Sequence, residues 1–288
     1  MWDGGVRPVL NGFALFGVDD NGSEWLCNAF DGLFDGAAST LSTSQKMWGD
    51  GYFANRANRA GRVFTLSGAL ANDDTQALVA SWDVLKQSLL LESQELVFTW
   101  NGVERLALVR QSDQPILTWK GDRLATWSVQ LTSLSPFLFT PGSRVSGSTA
   151  LPASVGGMLF PYVFEGGGSP NSWQFPEETV SGMVSLSNGG TAESAVSLRI
   201  DGPCVNPGVE HVQSGKRMIL RLSLGTGHYV TFDGESHEVL IDGSDPARGA
   251  VVRREWASAL PGGNTWAFSA DSGSAGALLT VGFREAWL

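Results

Sequence analysis

The chain has 288 residues, of which 42% are hydrophobic and 17% are charged, and its net charge is −10. That apolar content is enough for packed cores and argues against a globally disordered chain. The acidic balance repels phosphate and weighs against a protein that reads nucleic acid. The only cysteines, Cys27 and Cys204, form no C-x-x-C pair. We expect two buried thiols rather than a disulfide framework or a zinc site.

The start of the chain and its hydropathy bear on where the protein is made. Residues 1–5 read Met-Trp-Asp-Gly-Gly, without the basic segment and apolar stretch of a secretory signal. No apolar run approaches the roughly 18 residues that a membrane-spanning helix needs. We therefore expect a protein made in a cytoplasm, with no membrane partner.

An acidic segment near the N-terminus resembles a calcium loop only superficially. Residues 19–24 read Asp-Asp-Asn-Gly-Ser-Glu and place oxygen ligands at alternate positions. The glycine comes too early, and Phe30 stands where a bidentate glutamate is needed. A hairpin turn at Asn21-Gly22 explains the segment better.

One segment has the period of a helix. Asp73 with Gln76 fits a capping box, and the pair Asp73-Asp74 suits the positive N-terminus of a helix. We predict a helix over about residues 74–90, laid across a sheet. The positions that form its apolar stripe are Leu78, Trp82, Leu85 and Leu89.

A strong hairpin signal follows the helix. Asn101-Gly102 lies between two apolar-rich runs, and both residues tolerate positive φ. Across this turn Trp100 faces Val103, and Val97 faces Leu106. Because apolar residues fall on both faces, we expect this ribbon to be covered on both sides.

The texture of the chain changes after Phe139. Residues 141–152 are rich in Ser, Gly and Pro and indicate a connection between domains. A second loop-like stretch spans residues 165–178. We predict an N-terminal domain over residues 1–141 and a C-terminal domain over residues 142–288.

The remaining segments indicate short strands with regular turns, which favours a β-sandwich. No helical pattern interrupts the C-terminal half. The turns there are predicted at Asn188-Gly189, Asp201-Gly202, Asp233-Gly234, Asp242-Gly243 and Pro261-Gly262. The alternating apolar positions are Trp127, Val129 and Leu131, then Val196, Leu198 and Ile200, Met218 to Leu224, Val239 and Ile241, Trp266 and Phe268, and Leu279, Val281 and Phe283.

Catalytic residues are not indicated. The three histidines, His211, His228 and His237, lie in the C-terminal half near Asp233 and Glu238. No H-E-x-x-H or G-x-S-x-G motif fixes a metal or triad geometry around them. We therefore predict no catalytic, cofactor-binding or metal-binding residue, and no enzyme.

Adjacent carboxylates and abundant tryptophans are equally unspecific. Asp73-Asp74 and Glu177-Glu178 are sequence neighbours, whereas a glycosidase needs two carboxylates across a cleft. Eleven tryptophans include Trp173 in a Gly- and Pro-rich loop, where it could stack on a sugar. Burial in a core or a subunit interface explains them better, and the sugar-binding residues remain unknown.

The order of short motifs resembles the distal tail protein family of long-tailed, siphovirus-type bacteriophages, over nearly the whole chain. In the N-terminal half the similarity lies in residues 62–68 (RVFTLSG), then the helix, the Asn-Gly hairpin and the closing strand. Leu134-Ser135-Pro136-Phe137 ends that half, with Ser135 where the family usually has an acid. The C-terminal similarities are Asn188-Gly189-Gly190, Leu260-Pro261-Gly262-Gly263-Asn264 and Phe283-Arg284-Glu285-Ala286-Trp287.

The resemblance implies an all-β protein with one helix in its N-terminal domain. That domain is expected to be a tail-tube-like sandwich or barrel that forms a hexameric ring. The C-terminal domain is expected to be a galectin-like β-sandwich. The implied protein is a structural virion component of the tail tip or baseplate, assembled in the host cytoplasm, that joins tube to tip and binds no cofactor.

The implied partners are six copies of the chain, the tail tube protein, the tape measure protein and the tail-tip hub or receptor-binding proteins. DNA is expected to pass through the lumen without specific binding. Two alternatives stay open: a carbohydrate-binding component that recognises the host, and a cell-wall hydrolase carried at the tail tip. The missing motifs weigh against the hydrolase.

Overall fold

A computed structural model of the chain describes residues 5–142, 144–154, 179–274 and 276–288. The chain divides into two compact units. Unit 1 comprises Met1–Gly142 with Ala286–Leu288, and unit 2 comprises Ser143–Glu285. The described residues are mostly β-strand with one α-helix, in unit 1, so the predicted fold class is confirmed. No helix of these ranges is long and apolar enough to cross a membrane.

Unit 1 is built on one large antiparallel sheet with the order β2-β1-β10-β11-β13-β9-β4-β3. Strand β12 pairs with β13, and β14 pairs with β11. Two small ladders, β5 with β8 and β6 with β7, are separate from this sheet. The strands are β1 (Val6–Leu10), β2 (Phe13–Ala14), β3 (Gly17–Val18), β4 (Glu24–Asp31), β5 (Ser39–Thr40), β6 (Thr43–Gln45), β7 (Tyr52–Ala54), β8 (Asn58–Arg59), β9 (Arg62–Ala71), β10 (Gln94–Trp100), β11 (Val103–Gln111), β12 (Ile116–Gly121), β13 (Leu124–Ser133) and β14 (Leu138–Phe139).

The predicted helix exists, as α1 (Thr75–Ser88). Its stripe residues Leu78, Trp82 and Leu85 are buried, and all three belong to the same core cluster as apolar residues of the large sheet. The predicted cap was wrong by one residue. The side chain of Asp74, not Asp73, accepts from the backbone N–H of Gln76, since Asp74 is the residue with extended backbone at the N-cap.

The Asn101-Gly102 hairpin has the predicted register. Trp100 pairs with Val103 and Val97 with Leu106, and both turn residues have positive φ, +48° and +79°. The ribbon is covered less completely than expected. Trp100 and Val103 lie next to the turn and are 44% and 46% exposed. Val103 lies beyond the part of β11 that pairs with β13 and β14, whereas Trp100 stays exposed although it pairs with Val6 of β1.

The described residues of unit 2 form a β-sandwich that includes one helical turn, a 3-10 segment at Arg248–Ala250. One sheet has the order β15-β31-β19-β24-β25-β26, and the other has the order β18-β29-β21-β22-β27. The strands are β15 (Val145–Ala150), β16 (Ala153–Ser154), β17 (Thr179–Val180), β18 (Met183–Asn188), β19 (Ser194–Asp201), β20 (Cys204–Val205), β21 (Gly208–His211), β22 (Lys216–Leu220), β23 (Ser223–Leu224), β24 (Tyr229–Asp233), β25 (Glu238–Ile241), β26 (Asp245–Pro246), β27 (Val251–Arg254), β28 (Ser258–Ala259), β29 (Gly262–Ser269), β30 (Ser272–Gly273) and β31 (Leu278–Phe283).

The predicted linker over residues 141–152 is partly wrong, because six of its residues form strand β15. They pair with β31 along their whole length. Small side chains looked like loop composition, but one of them is required by packing. A Cβ on Gly147 would lie 2.8 Å from Val184 and 2.9 Å from Leu186. The second loop-like stretch, residues 165–178, lies outside the described residues.

The last strand, β32 (Ala286–Trp287), lies in unit 1, whereas the sequence analysis placed it in the second domain. It pairs with β14 through Leu138 and Phe139. The Trp287 ring lies under the guanidinium of Arg105, 3.8 Å from its carbon, and its Nε1 donates to Thr140 Oγ1 at 3.1 Å. These contacts attach the chain's end to the N-terminal sheet.

Candidate functional site

The most exposed feature of unit 1 is a hairpin that we call the arm, residues 36–60. In this hairpin β5 pairs only with β8, and β6 pairs only with β7, among the described strands. All its residues are exposed except Ala37, Lys46 and Ala60, which are half-buried. An isolated two-stranded hairpin is marginally stable in water. The arm is therefore shaped for contact with something outside its own unit.

The tip of the arm is apolar. Met47 and Trp48 are each 92% exposed, more than any other large hydrophobic side chain in the described ranges. A turn closed by the backbone of Lys46 donating to Gly51 holds them, and Gly49 and Gly51 supply the positive φ that this turn needs. Tryptophan and methionine are enriched at the cores of protein interfaces, so this tip has the composition of a contact surface.

A pocket of about 220 Å³ lies where the arm leaves the sheet. Phe34 meets Trp100 edge-on at 5.3 Å between ring centroids, and these two rings form one wall. We call this cavity the base pocket. Its lining consists of Leu33, Phe34, Asp35, Arg62, Phe98, Trp100, Val103, Arg105, Leu138 and Leu288.

Arg62 organises the floor of the base pocket. It is 5% exposed, and its Nε and Nη1 donate to the carbonyls of Pro136 (2.7 Å) and Asp35 (2.6 Å). Burial lowers the pKa of Arg62, which the nearby Asp35 charge partly opposes. Ser135, at the position where the family has an acid, accepts from the backbone N–H of Phe137. The two N-terminal motifs thus meet at this point.

The C-terminal motifs surround two buried asparagines. Asn188 donates to the carbonyls of Ala192 (2.9 Å) and Ala259 (3.0 Å) and accepts from the N–H of Gly190. The neighbouring N–H of Gly189 donates to Glu285. These bonds give the motif residues a role in shaping loops rather than in binding a ligand.

Asn264 plays the same part in the Leu260–Asn264 motif. Its Oδ1 accepts from the N–H of Leu260 (2.8 Å), and its Nδ2 donates to the carbonyls of Leu260 (2.7 Å) and Gly262 (2.8 Å). It also bonds His211 Nε2 at 3.1 Å. Since Oδ1 can only accept, this nitrogen of His211 carries the proton.

His211 is a core residue. It is 1% exposed, packs on Trp266 with ring centroids 5.0 Å apart, and its Nδ1 lies 2.8 Å from Ser214 Oγ. Burial lowers its pKa, which keeps the ring neutral. The cavity beside the His211 ring is only about 20 Å³, roughly one water molecule, so it is too small to hold a substrate.

The other two histidines lie elsewhere in unit 2. His228 Nδ1 lies 2.7 Å from the Asp242 carboxylate, whose pKa this hydrogen bond lowers. His237 is stacked on Trp256 at 4.6 Å and takes positive φ in the turn after Asp233. Within the described parts of the chain, no three metal-ligating side chains are grouped.

The acidic segment at residues 19–24 forms the predicted hairpin turn between β3 and β4. Asp19 accepts from the N–H groups of Asn21 (3.0 Å) and Ser23 (2.8 Å) and from Trp25 Nε1 (2.9 Å). Burial acts to raise the pKa of Asp19, but these and neighbouring hydrogen bonds outweigh it and lower the pKa. The carboxylate is committed to the turn, so the calcium interpretation is wrong.

The two cysteines are shielded to different degrees, and Asp73 lies at the surface. Cys204 is buried as predicted, whereas Cys27 is only half-buried. Burial raises the pKa of both thiols, that of Cys27 to about 12, which lowers their reactivity. Asp73 forms an exposed ion pair with Arg123. Trp173 and Glu177-Glu178 lie outside the described residues.

A shallow groove of about 640 Å³ lies on the outer face of the β15-to-β25 sheet. Arg199 dominates it, with two nitrogens on the Asp201 carboxylate and its guanidinium carbon 3.8 Å from the Tyr229 ring. The tyrosine face is therefore already covered by an arginine. The rest of the lining is mixed. It includes apolar and charged residues as well as the small or hydroxyl-bearing residues Ser146, Ser197, Thr231, Thr280 and Gly282.

Sequence reasoning missed the arm altogether. Its strands lack the apolar alternation that predicts a half-buried strand. Two signals were present. Gly49-Asp50-Gly51 marks a turn, and Met47-Trp48 interrupts a run of small polar residues.

Comparisons with known proteins connect these features to a family. Residues 189–287 match the family described as siphovirus-type tail component, C-terminal domain. No match was found among curated protein sequences. The fold of the SPP1 Dit protein, described as a hub adsorption apparatus of phages infecting Gram-positive bacteria, matches with a TM-score of 0.63 and 12% identity. This match covers 98% of this chain and 99% of that chain.

Two structures of the phage P2 baseplate in its activated conformation match more weakly. The one with Ca gives a TM-score of 0.49 at 11% identity, and the one with Sr gives 0.47 at 10% identity. Each covers 91% of this chain and 90% of that chain. The first match supports the fold over nearly the full length. Residues 189–287 match the C-terminal domain of the siphovirus-type tail component family, which confirms the resemblance seen in the motifs.

Proposed function

We propose that this protein is a structural component of a siphovirus-type tail tip, in which six copies form a ring between the tail tube and the tip complex. The arm carries the proposal. It exposes nearly all its residues and ends in two bare apolar side chains, so it fits a chain that is completed by neighbours. The family match over residues 189–287 supports a tail component as the class of protein.

The proposed division of labour follows the two units. Unit 1, with the arm and the base pocket, forms the ring. Unit 2 is a peripheral, galectin-like sandwich that faces hub or receptor-binding proteins. The tube and tape measure proteins are the proposed axial partners.

DNA passage through the ring agrees with the charge of the chain. A lumen must let a polyanion slide without adhering, and a net charge of −10 disfavours strong phosphate binding. The protein needs no cofactor for this role. Its place is in the virion, after assembly in the host cytoplasm.

Two measurements test the proposal: the mass of the assembled particle and the position of the protein in images of the virion. Native mass spectrometry over a concentration series should show closed particles of six 30.7 kDa chains, about 184 kDa. Antibody labelling of virions should place the protein on the tail axis at the tip. A location away from the axis contradicts the proposal.

The groove on unit 2 supports a second, weaker candidate, a carbohydrate-binding component. Its hydroxyls, Arg199 and nearby acids offer hydrogen bonds to a sugar. The covered face of Tyr229 removes one stacking platform, which favours the structural role. Glycan-array binding by the full chain that Arg199→Ala abolishes supports this candidate; no glycan binding leaves the sandwich as a scaffold.

A further inference from the structure

The tip of the arm and the base pocket complement each other, yet they are not joined within one chain. Trp48 is 92% exposed and is not among the residues that line the pocket, so it does not occupy the base pocket of its own chain. The arm begins beside that pocket, directly after its lining residues Leu33, Phe34 and Asp35. From Ser39 to Gln45 alone the chain can extend about 20 Å at ~3.3 Å per residue.

We infer that Trp48 of one copy inserts into the base pocket of the next copy, making the arm the connector that closes the ring. This rests on the proposed function, because it names the contact by which the ring forms. A projection on one part of a surface that fits a pocket on another part is a heterologous contact. Such contacts repeat head to tail and close into rings when the rotation allows.

The sizes agree. An apolar cavity of about 150 Å³ holds a benzene molecule. The base pocket, at about 220 Å³, is large enough for the bigger indole ring of Trp48. Phe34 and Trp100 already meet edge-on in its wall, a geometry that a third ring can extend.

The charges agree as well. Residues 36–60 contain Lys46, Arg56, Arg59 and Asp50 and so have a net charge of +2. Since the whole chain has a net charge of −10, the residues outside the arm have a net charge of −12. A basic arm is attracted to an acidic neighbour. At closer range, Lys46 lies next to the tip and Asp35 lines the pocket, which offers the lysine a partner of opposite sign.

A disulfide experiment on the full chain tests the contact. Met47→Cys combined with Val103→Cys keeps Trp48 and places one thiol beside it on the tip and one in the pocket wall, where Val103 is 46% exposed. Mild oxidation should then produce a covalent ladder that ends at six chains on a non-reducing gel. The matched control pairs Met47→Cys with Leu91→Cys, which is 82% exposed and outside the pocket, and should give no such ladder. The native thiols should contribute little, because Cys204 is buried and the half-buried Cys27 has its pKa raised to about 12.

A second measurement keeps this inference separate from the proposed function. Trp48→Ala should raise the concentration at which half the chains are assembled by at least about 20-fold, as expected for a central interface tryptophan. Because Trp48 is exposed in the single chain, the unassembled Trp48→Ala chain should melt at the same temperature as the unassembled wild-type chain. The inference is overturned if the wild type forms rings, the Trp48→Ala variant forms equally stable rings, and the gel shows no ladder. In that case the proposed ring itself is not contradicted. A wild type that never assembles, even when concentrated, overturns both.

Discussion

Replacing Asn264 by alanine should destabilise unit 2 by about 3 kcal/mol. The side chain is 1% exposed and makes four hydrogen bonds, to Leu260 twice, to Gly262 and to His211. His211 is itself 1% exposed, so its Nε2–H cannot turn to water once the amide is gone. One buried unpaired donor costs about 1–3 kcal/mol, and the loop groups, which lie nearer to solvent, add a smaller amount.

Hydrogen exchange over a urea series measures this change, because amides of β21 and β29 report the opening of unit 2 alone. The matched control is Thr265→Ala at the next position, whose hydroxyl shares one exposed hydrogen bond with Ser185. That control should shift the free energy of opening by less than about 1 kcal/mol. A shift for Asn264→Ala as small as the control's would refute the scaffold role of this motif.

Three further predictions concern the fold and its pH dependence. Leu78 is a fully buried helix position, so Leu78→Ala should lower the free energy of unfolding by about 2–5 kcal/mol. Val79 is 42% exposed, and Val79→Ala should lower it far less. Equal losses for the two variants would contradict the observed placement of the helix. Asp74→Ala should lower the free energy of unfolding by about 1 kcal/mol, and Asp73→Ala should lower it less. The reverse order would contradict Asp74 as the N-cap. Burial lowers the pKa of His211, so the unfolded chain binds more protons below pH 6.5. The stability that His211 contributes is therefore fully present above that pH and is lost as pH falls toward the lower pKa of the folded state. In urea titrations at pH 5 to 8, the free energy of unfolding of a His211→Gln variant should depend less on pH than that of the wild type.

Local turn chemistry made the regular parts of the fold predictable. Asn101-Gly102 fixes a two-residue hairpin, and that turn alone sets the pairing of Trp100 with Val103 and of Val97 with Leu106. The helix followed from one apolar stripe. Its cap was off by one residue, since two adjacent aspartates offer the same chemistry and only the backbone decides between them.

The motifs at Asn188 and Asn264 were seen in the sequence, but their role was not. A buried asparagine looks the same in sequence as one in an exposed turn. Its role depends on carbonyls brought near by distant strands, such as Ala259 for Asn188 and His211 on β21 for Asn264. Tertiary contacts of this kind carry no local signal.

The arm escaped prediction for a different reason. Sequence patterns reveal segments that bury one face within their own chain, and residues 36–60 bury almost nothing there. The β32 strand was misplaced similarly, because no local pattern tells Ala286–Trp287 to pair with Leu138–Phe139. In both cases the partner, not the segment, defines the structure.

An averaged electron cryomicroscopy map of the assembled protein tests the central claim most directly. The ring account predicts six subunits around a central channel, with the indole of Trp48 enclosed by Phe34, Trp100 and Val103 of the adjacent subunit. A closed ring whose arms stand free in solvent contradicts the connector role. A particle without sixfold closure contradicts the ring itself.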